Sequence, residues 1–368
     1  MPTFNISINT DDVLNATSTS TANVSKNVVS TASEIKKPVE NLEKPKKTST
    51  LTLDHSHSNV DYSFYIPEQD PRYVKYGNYK MIEKIIKSGK FYPVYIYGEA
   101  GVGKTSAIEQ ACAAQNKPYF RCQISADVMS EDVIGGYRLV DGNTVWQDGP
   151  VLLAMRSGGV LVLDEFDTNS SLMILQGILE GKPFLIKQTG EVVKPAPGFT
   201  IFATGNTKGD GNSEKYVGTT VLNEAQLDRF NSFIYQDIPT IDVYEDIIRN
   251  KIKVDEIQMS DDQVNLILTF VEKCKNAYKK TGECQFISTR RVQMLLDSFM
   301  MHGQNKFALK KAVKDCLSRY REDYAVAMNM IFEACVKDGT SLEDVLAEED
   351  SIYTKATVDD VYSDNTMH

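Results

Sequence analysis

Residues 98–106, GEAGVGKTS, place Gly98, Gly103, Lys104 and Thr105 at the spacing G-x-x-x-x-G-K-[ST]. Glycines so spaced let the backbone fold tightly enough for its N–H groups to converge on phosphate oxygens, and a helix starting there adds the positive end of its dipole. Lys104 would reach the β and γ phosphates of a nucleotide, and Thr105 a magnesium ion. The candidate cradle comprises Gly98, Glu99, Ala100, Gly101, Val102, Gly103, Lys104, Thr105 and Ser106. A second stretch, GGVLVLDEFD, has four apolar residues, Val160 to Leu163, and ends in Asp164 and Glu165. Such a run fits a strand buried on both faces, and carboxylates at its carboxyl end face the ligand crevice. Asp164 would hold Mg2+ through its water shell, and Glu165 would polarise the attacking water as general base. A third stretch, GFTIFATGN, brings Thr204 and Asn206 to the same crevice. Asn206 would orient the lytic water or sense the γ-phosphate; the alternative is a turn-forming asparagine with no further role.

Two further stretches carry arginines. VLNEAQLDRF reads as a helix capped by Asn223, with Gln226 three residues on completing a capping box and Arg229 near its end. Taken alone, such an arginine is a surface charge. ISTRRVQMLL starts a helix at Ser288 with Arg290 and Arg291 in its first turn, where cations oppose the helix dipole unless an anion is bound. That placement points to a phosphate partner.

These residues need elements to hold them. From residue 59 to 240, short apolar runs alternate with helical patterns, which predicts an α/β domain with a parallel sheet and helices on both faces. Its strands are expected near Val94 to Tyr97, Tyr119 to Ile124, Val160 to Leu163, Thr200 to Ala203 and Ser232 to Tyr235, with Ile108, Ala111 and Cys112 sharing the buried face of the helix after the phosphate loop. From 241 to 340 the period becomes 3.6, predicting a small all-helical domain. In SDDQVNLILTFVEKCKNAYKKTG, Ser260 and Gln263 form a capping box, and Gly282 ends the helix. Residues 1–58 mix Ser, Thr, Asn, Val and Lys without period, as a disordered segment does, and residues 341–368 form an acidic tail with one lysine, Lys355. The sequons at Asn5, Asn15 and Asn23 have no secretory context, and His55 and His57 read as solvated.

Fifty acidic residues against forty basic ones give a net charge of −10, without the positive field that non-specific nucleic-acid binding needs. Six cysteines, none in a C-x-x-C pair, predict buried thiols in a reducing compartment. No apolar run approaches the roughly 18 residues that span a bilayer, so a soluble cytoplasmic protein is expected.

The order GEAGVGKT, VLVLDEFD, ATGN, LNEAQLDRF and a later Ser-x-Arg resembles the AAA+ ATPases of the MoxR-like branch, and more closely the ATPase subunit of aerobic cobaltochelatase, the CobS-like group. IPEQDPRY, DVIGGYRLVDGNTVWQDGPVLLAMRSGG and EKYVGTTVLNEAQLDRF extend the similarity, which covers roughly residues 66 to 338. The resemblance implies ATP and Mg2+ as cofactors, with Gly98, Gly101, Gly103, Lys104 and Thr105 on the nucleotide, Asp164 and Glu165 serving metal and hydrolysis, and Asn206 as sensor 1. It implies that Arg229 is an arginine finger acting on the neighbouring subunit's nucleotide, hence a homo-oligomeric ring of six subunits, and that Arg290 is sensor 2. Where the family has Ser-Pro-Arg this chain has Ser-Thr-Arg-Arg, which leaves Arg290 or Arg291 for that role. The family's insert and hairpin correspond to YRLVDGNTVWQDG and FLIKQTGEVVKPAPG, with Tyr137 and Trp146 read as packing aromatics in preference to pore contacts. The implied function is an ATP-driven ring that remodels a protein partner, as the chelatase ATPase does with a von Willebrand A-type subunit and a large catalytic subunit. The alternative is a ring acting on nucleic acid, a helicase or loader, which the acidic balance disfavours; a third, a switch that binds ATP without hydrolysing it, is opposed by Glu165 and Arg229.

Overall fold

The computed structural model describes residues 61–338 except 212–214, 217, 283 and 306. The segment 1–58 with His55, His57 and its three sequons, and the acidic stretch 341–368, lie outside the described residues. In chain order come α1 (Tyr79–Ser88), β1 (Val94–Tyr97), α2 (Lys104–Ala114), β2 (Tyr119–Gln123), α3 (Ser130–Ile134), β3 (Gly135–Val140), β4 (Asn143–Asp148), α4 (Pro150–Ser157) and β5 (Val160–Asp164). There follow α5 (Gln176–Leu179), β6 (Phe184–Leu185), β7 (Val192–Val193), β8 (Thr200–Gly205), α6 (Glu224–Leu227) and β9 (Ser232–Tyr235). The rest is helical: α7 (Ile241–Val254), α8 (Asp261–Thr281), α9 (Thr289–Met301), α10 (Ala308–Leu317) and α11 (Glu322–Asp338).

The five expected strands form one parallel sheet in the order β2-β5-β8-β1-β9. β5 and β8 are buried at every position, as their unbroken apolar runs require of strands covered on both faces. One face packs on Ile82 and Ile86 of α1 and on Ile108, Ala111 and Cys112 of α2. The other packs on Val151, Leu152 and Met155 of α4. β2 is an edge strand with alternating burial: Phe120 and Cys122 point inward, which leaves Arg121 and Gln123 on its open side.

Helices α7 to α11 share a separate core that includes Ile248, Ile267, Phe270, Leu295, Phe299 and Phe332. α8 starts at the expected capping box, where the Ser260 side chain accepts from Gln263 N and the Gln263 side chain accepts from Ser260 N, and it ends at Gly282 in the left-handed conformation. All six cysteines are buried free thiols. No helix among the described residues is long and apolar enough to cross a membrane.

The β3–β4 hairpin turns at Asp141 and Gly142, both at positive φ (49° and 80°), the pairing that a tight two-residue hairpin turn favours. Tyr137 and Trp146 stand opposite each other with ring centroids 5.5 Å apart, edge to face, so they do pack together. The Tyr137 hydroxyl also donates to Gln188 O (3.1 Å), linking this hairpin to the connection between β6 and β7. The capping box expected at Asn223 is not formed. Asn223 caps α6 by accepting from Ala225 N, but Gln226 is fully buried and donates to Leu172 O (3.2 Å), because the core claims its side chain before the helix terminus can.

Candidate nucleotide-binding and hydrolysis site

The loop between β1 and α2 turns under steric constraints that only glycine meets. Gly103 has φ 79° and a Cβ there would collide with the Tyr76 hydroxyl; at Gly101, φ 77°, a Cβ would lie 2.7 Å from Ser288 Oγ. The loop is therefore pressed between the 70–76 segment and the start of α9. Tyr76 donates to Val102 O (2.9 Å) and Thr289 Oγ1 to Gly101 O (2.7 Å), which fixes the loop from both sides.

A cavity of about 330 Å³ opens over the loop. It brings together Ala100, Gly101, Gly103, Lys104, Thr105, Ser106, Asp164, Glu165, Asn206 and Arg290 of the expected set. Tyr73, Val74 and Tyr76 from before α1, Ile247 of α7 and Gln293 of α9 also line it, offering rings and aliphatic carbons against which a planar base could pack. Other expected residues are turned elsewhere. Gly98 contributes its carbonyl, and Val102 is buried in the core of α7 to α11. The Glu99 side chain lines a neighbouring cavity, where Lys215 (2.6 Å), Tyr278 (2.5 Å) and Tyr216 all donate to it. Burial pushes the Glu99 carboxyl up, but those three donors outweigh it and hold it below the usual range. Arg291 faces that second cavity with Arg319 and Arg321, whereas Arg290 borders both.

Lys104 Nζ donates to Gly98 O (2.7 Å), Glu99 O (2.9 Å) and Asn206 Oδ1 (3.1 Å), so its ammonium already stands where the loop and β8 meet. Burial pulls that ammonium down to about 8, against the upward pull of Asp167, Asp164 and Glu99. Phosphates favour the charged form and raise its pKa in the complex. ATP affinity should thus be full below about pH 8 and fall as pH rises through it, by up to about tenfold per pH unit until the pKa of the complex is reached. Calorimetric titration between about pH 7 and about pH 9.5 reads this directly, and Lys104→Arg should abolish the fall. A flat profile would place the ammonium outside the phosphate contact.

Asp164 Oδ1 accepts from Thr105 Oγ1 (2.9 Å) and from Thr204 Oγ1; Oδ2 pairs with Arg121. Burial raises its pKa, but the hydrogen bonds from Thr204 and Thr105 and the Arg121 cation more than compensate, keeping it ionised well below the usual carboxylate range. Glu165 adopts φ 57°, uncommon for a non-glycine residue. The strain is held by hydrogen bonds: Glu165 N donates to Thr204 Oγ1 (3.3 Å), and Glu165 O accepts from Thr168 N (3.0 Å) and Thr168 Oγ1 (2.8 Å). Its carboxylate faces the cavity and accepts from Gln123 Nε2 (3.0 Å).

Arg121, Gln123 and Asp167 were not legible as site residues. Asp167 is fully buried, and its Oδ2 accepts from Asn206 N (2.9 Å), Thr207 N (2.8 Å) and Thr207 Oγ1 (2.8 Å), which sets the turn that aims Asn206 at Lys104. A signal for the strand pair did exist: in YFRCQ the inward Phe120 and Cys122 leave Arg121 and Gln123 on the opposite side. Arg229 stands outside the cavity of its own chain, with Nε on Glu180 Oε1 (2.8 Å) and Nη1 on Ala225 O. Thr105 and Asp164 suit a hard cation with oxygen ligands and retained waters.

The family model for the AAA domain (dynein-related subfamily) matches residues 93–230. An uncharacterized protein of Staphylococcus haemolyticus (strain JCSC1435) is 31% identical over 243 residues, covering 63% of this chain and 87% of that protein. One of Staphylococcus aureus (strain USA300) is 28% identical over 242 residues with the same coverage. Among solved structures, the RuvB Holliday junction branch migration motor of Thermotoga maritima is 15% identical over 73% of each chain at a TM-score of 0.42. Domain III of the replication initiation protein DnaA from the same organism is 13% identical over 74% of this chain and 98% of that one, at 0.41. With its phosphate loop, its carboxylate pair at the end of β5 and the family match across the α/β domain, the chain belongs to the AAA+ ATPases and carries an AAA domain of the dynein-related kind.

Proposed function

We propose that this chain is an ATP-hydrolysing motor that assembles into a homo-oligomeric ring of six subunits and remodels a protein partner, in the manner of the cobaltochelatase ATPase subunit. The observation that carries the hydrolytic reading is the convergence of Lys104, Thr105, Asp164, Glu165, Asn206 and Arg290 on one cavity. Thr105 and Asp164 would hold Mg2+, which when bound draws charge from the phosphates. Lys104 neutralises the β and γ phosphates, Glu165 takes a proton from the attacking water, and Asn206, held by Asp167, orients that water. Arg290, at the start of α9, lines the same cavity as Lys104, whereas Arg291 lines only the neighbouring one, which supports Arg290 as sensor 2.

A protein partner is supported by the two hairpins, which expose Leu139, Val140, Val145, Leu185 and Val192, an apolar display that a soluble surface does not otherwise favour. A von Willebrand A-type subunit and a large chelatase subunit are the partner classes that the resemblance offers. The test of the nucleotide site is Lys104→Ala. Loss of charge-assisted hydrogen bonds should weaken ATP binding by about 2 kcal/mol, roughly thirtyfold in calorimetry. Unchanged affinity would remove the phosphate-cradle reading.

A further inference from the structure

Arg121 lies on the carboxylate that a metal ion needs. From the middle of the edge strand β2, its Nε donates to Asp164 Oδ2 at 2.9 Å and its Nη2 reaches the same oxygen. The other oxygen is taken by the hydroxyls of Thr105 and Thr204. These contacts differ in kind. A neutral hydroxyl can keep its proton on Asp164 while offering a lone pair to a cation, so Thr105 and Thr204 need not move. A guanidinium has no lone pair to offer and carries positive charge, so it competes with a divalent ion and its waters for Oδ2.

The ion pair is not needed to hold the strand. β2 is joined to β5 by a full parallel ladder from Tyr119↔Val160 to Gln123↔Asp164 and anchored by buried Phe120 and Cys122, while the Arg121 side chain is 48% exposed. We propose that Arg121 is a placeholder for Mg2+. It neutralises Asp164 while the pocket is empty and gives up Oδ2 when metal and nucleotide enter, so loading is a competition of two cations for one carboxylate. The inference rests on the ATPase reading above.

The test follows the fluorescence of an N-methylanthraniloyl ADP bound to the full chain while Mg2+ is raised. Removing the competing charge in Arg121→Gln should lower the Mg2+ midpoint by about fivefold, the scale of one part-exposed ion pair. Arg121→Lys, which keeps the charge but loses the paired donation, should lower it by about twofold. An unmoved or raised midpoint in Arg121→Gln overturns the inference, including the case where only its melting temperature falls, since that marks a purely structural pair. Should Arg121→Gln fail to fold, the Arg121→Lys midpoint decides in the same way. If the unsubstituted chain binds no fluorescent ADP at any Mg2+ concentration, the ATPase reading itself falls; binding with unmoved midpoints sinks only the role of Arg121.

Discussion

Arg229→Ala should bind ATP and assemble like the parent chain, yet hydrolyse ATP on the order of a thousandfold more slowly. The reason is geometric. The cavity of one chain already holds Lys104, Asn206 and Arg290, and Arg229 is not among its walls; the residue lies two positions beyond α6, paired with Glu180. In the proposed ring, an arginine so placed would stabilise charge on a transferring phosphoryl group in a neighbouring subunit's pocket, after leaving Glu180. The pair with Glu180 is partly exposed, at 24% and 29% for the two side chains, so water screens it and breaking it costs far less than an arginine contributes at a phosphoryl transition state. Activity should accordingly rise with protein concentration as rings form. Mixing Arg229→Ala with Lys104→Ala, each nearly inactive alone, should restore activity above either, because a sound pocket on one subunit can meet a sound arginine on its neighbour. Native mass spectrometry reports whether mixed rings exist; mixed rings without recovered turnover, or full activity in Arg229→Ala alone, would return Arg229 to a surface charge.

Glu165→Gln should leave ATP binding intact and reduce turnover by about a hundredfold or more. The amide keeps the size of the carboxylate, and its oxygen can still accept from Gln123, so the strained backbone at position 165 and its bonds to Thr204 and Thr168 need not change. What is lost is the basic oxygen that, in the proposed reaction, takes the proton of water. Single-turnover hydrolysis together with ATP calorimetry separates the two effects, and surviving turnover would assign the base elsewhere. The same variant, held in its ATP-bound state, is the form with which to look for a partner of the proposed remodelling reaction.

The parts of this site legible in the sequence are those whose chemistry demands fixed types at short spacing. Lys104 and Thr105 are bound to their glycines by local backbone geometry, and Asp164 and Glu165 announce themselves by ending a run of four apolar residues. The strands followed from the same logic: β1 and β9 have the expected bounds, β2 is one residue shorter, and β5 and β8 extend one and two residues further toward the crevice. The illegible parts are brought in by long-range register. Arg121 faces Asp164 only because β2 pairs with β5, and Tyr76 reaches the phosphate loop from 26 residues before Val102. Asp167 and Gln226 were opaque for a different reason: both are polar residues buried against backbone groups that no local pattern identifies.

Val102 has a mechanical consequence. Its side chain is wholly buried in the core of α7 to α11, although its backbone belongs to the loop that opens α2, and the start of α9 is tied to Gly101 through Thr289. The loop is thus a tenon set into the helical layer. Any swing of that layer must drag the floor of the nucleotide pocket with it, so the tilt of the helices and the grip on phosphate are one coordinate read at two ends. A loosened joint deep among Phe270, Phe299 and Phe332 would then be felt as slack in the floor of the nucleotide pocket.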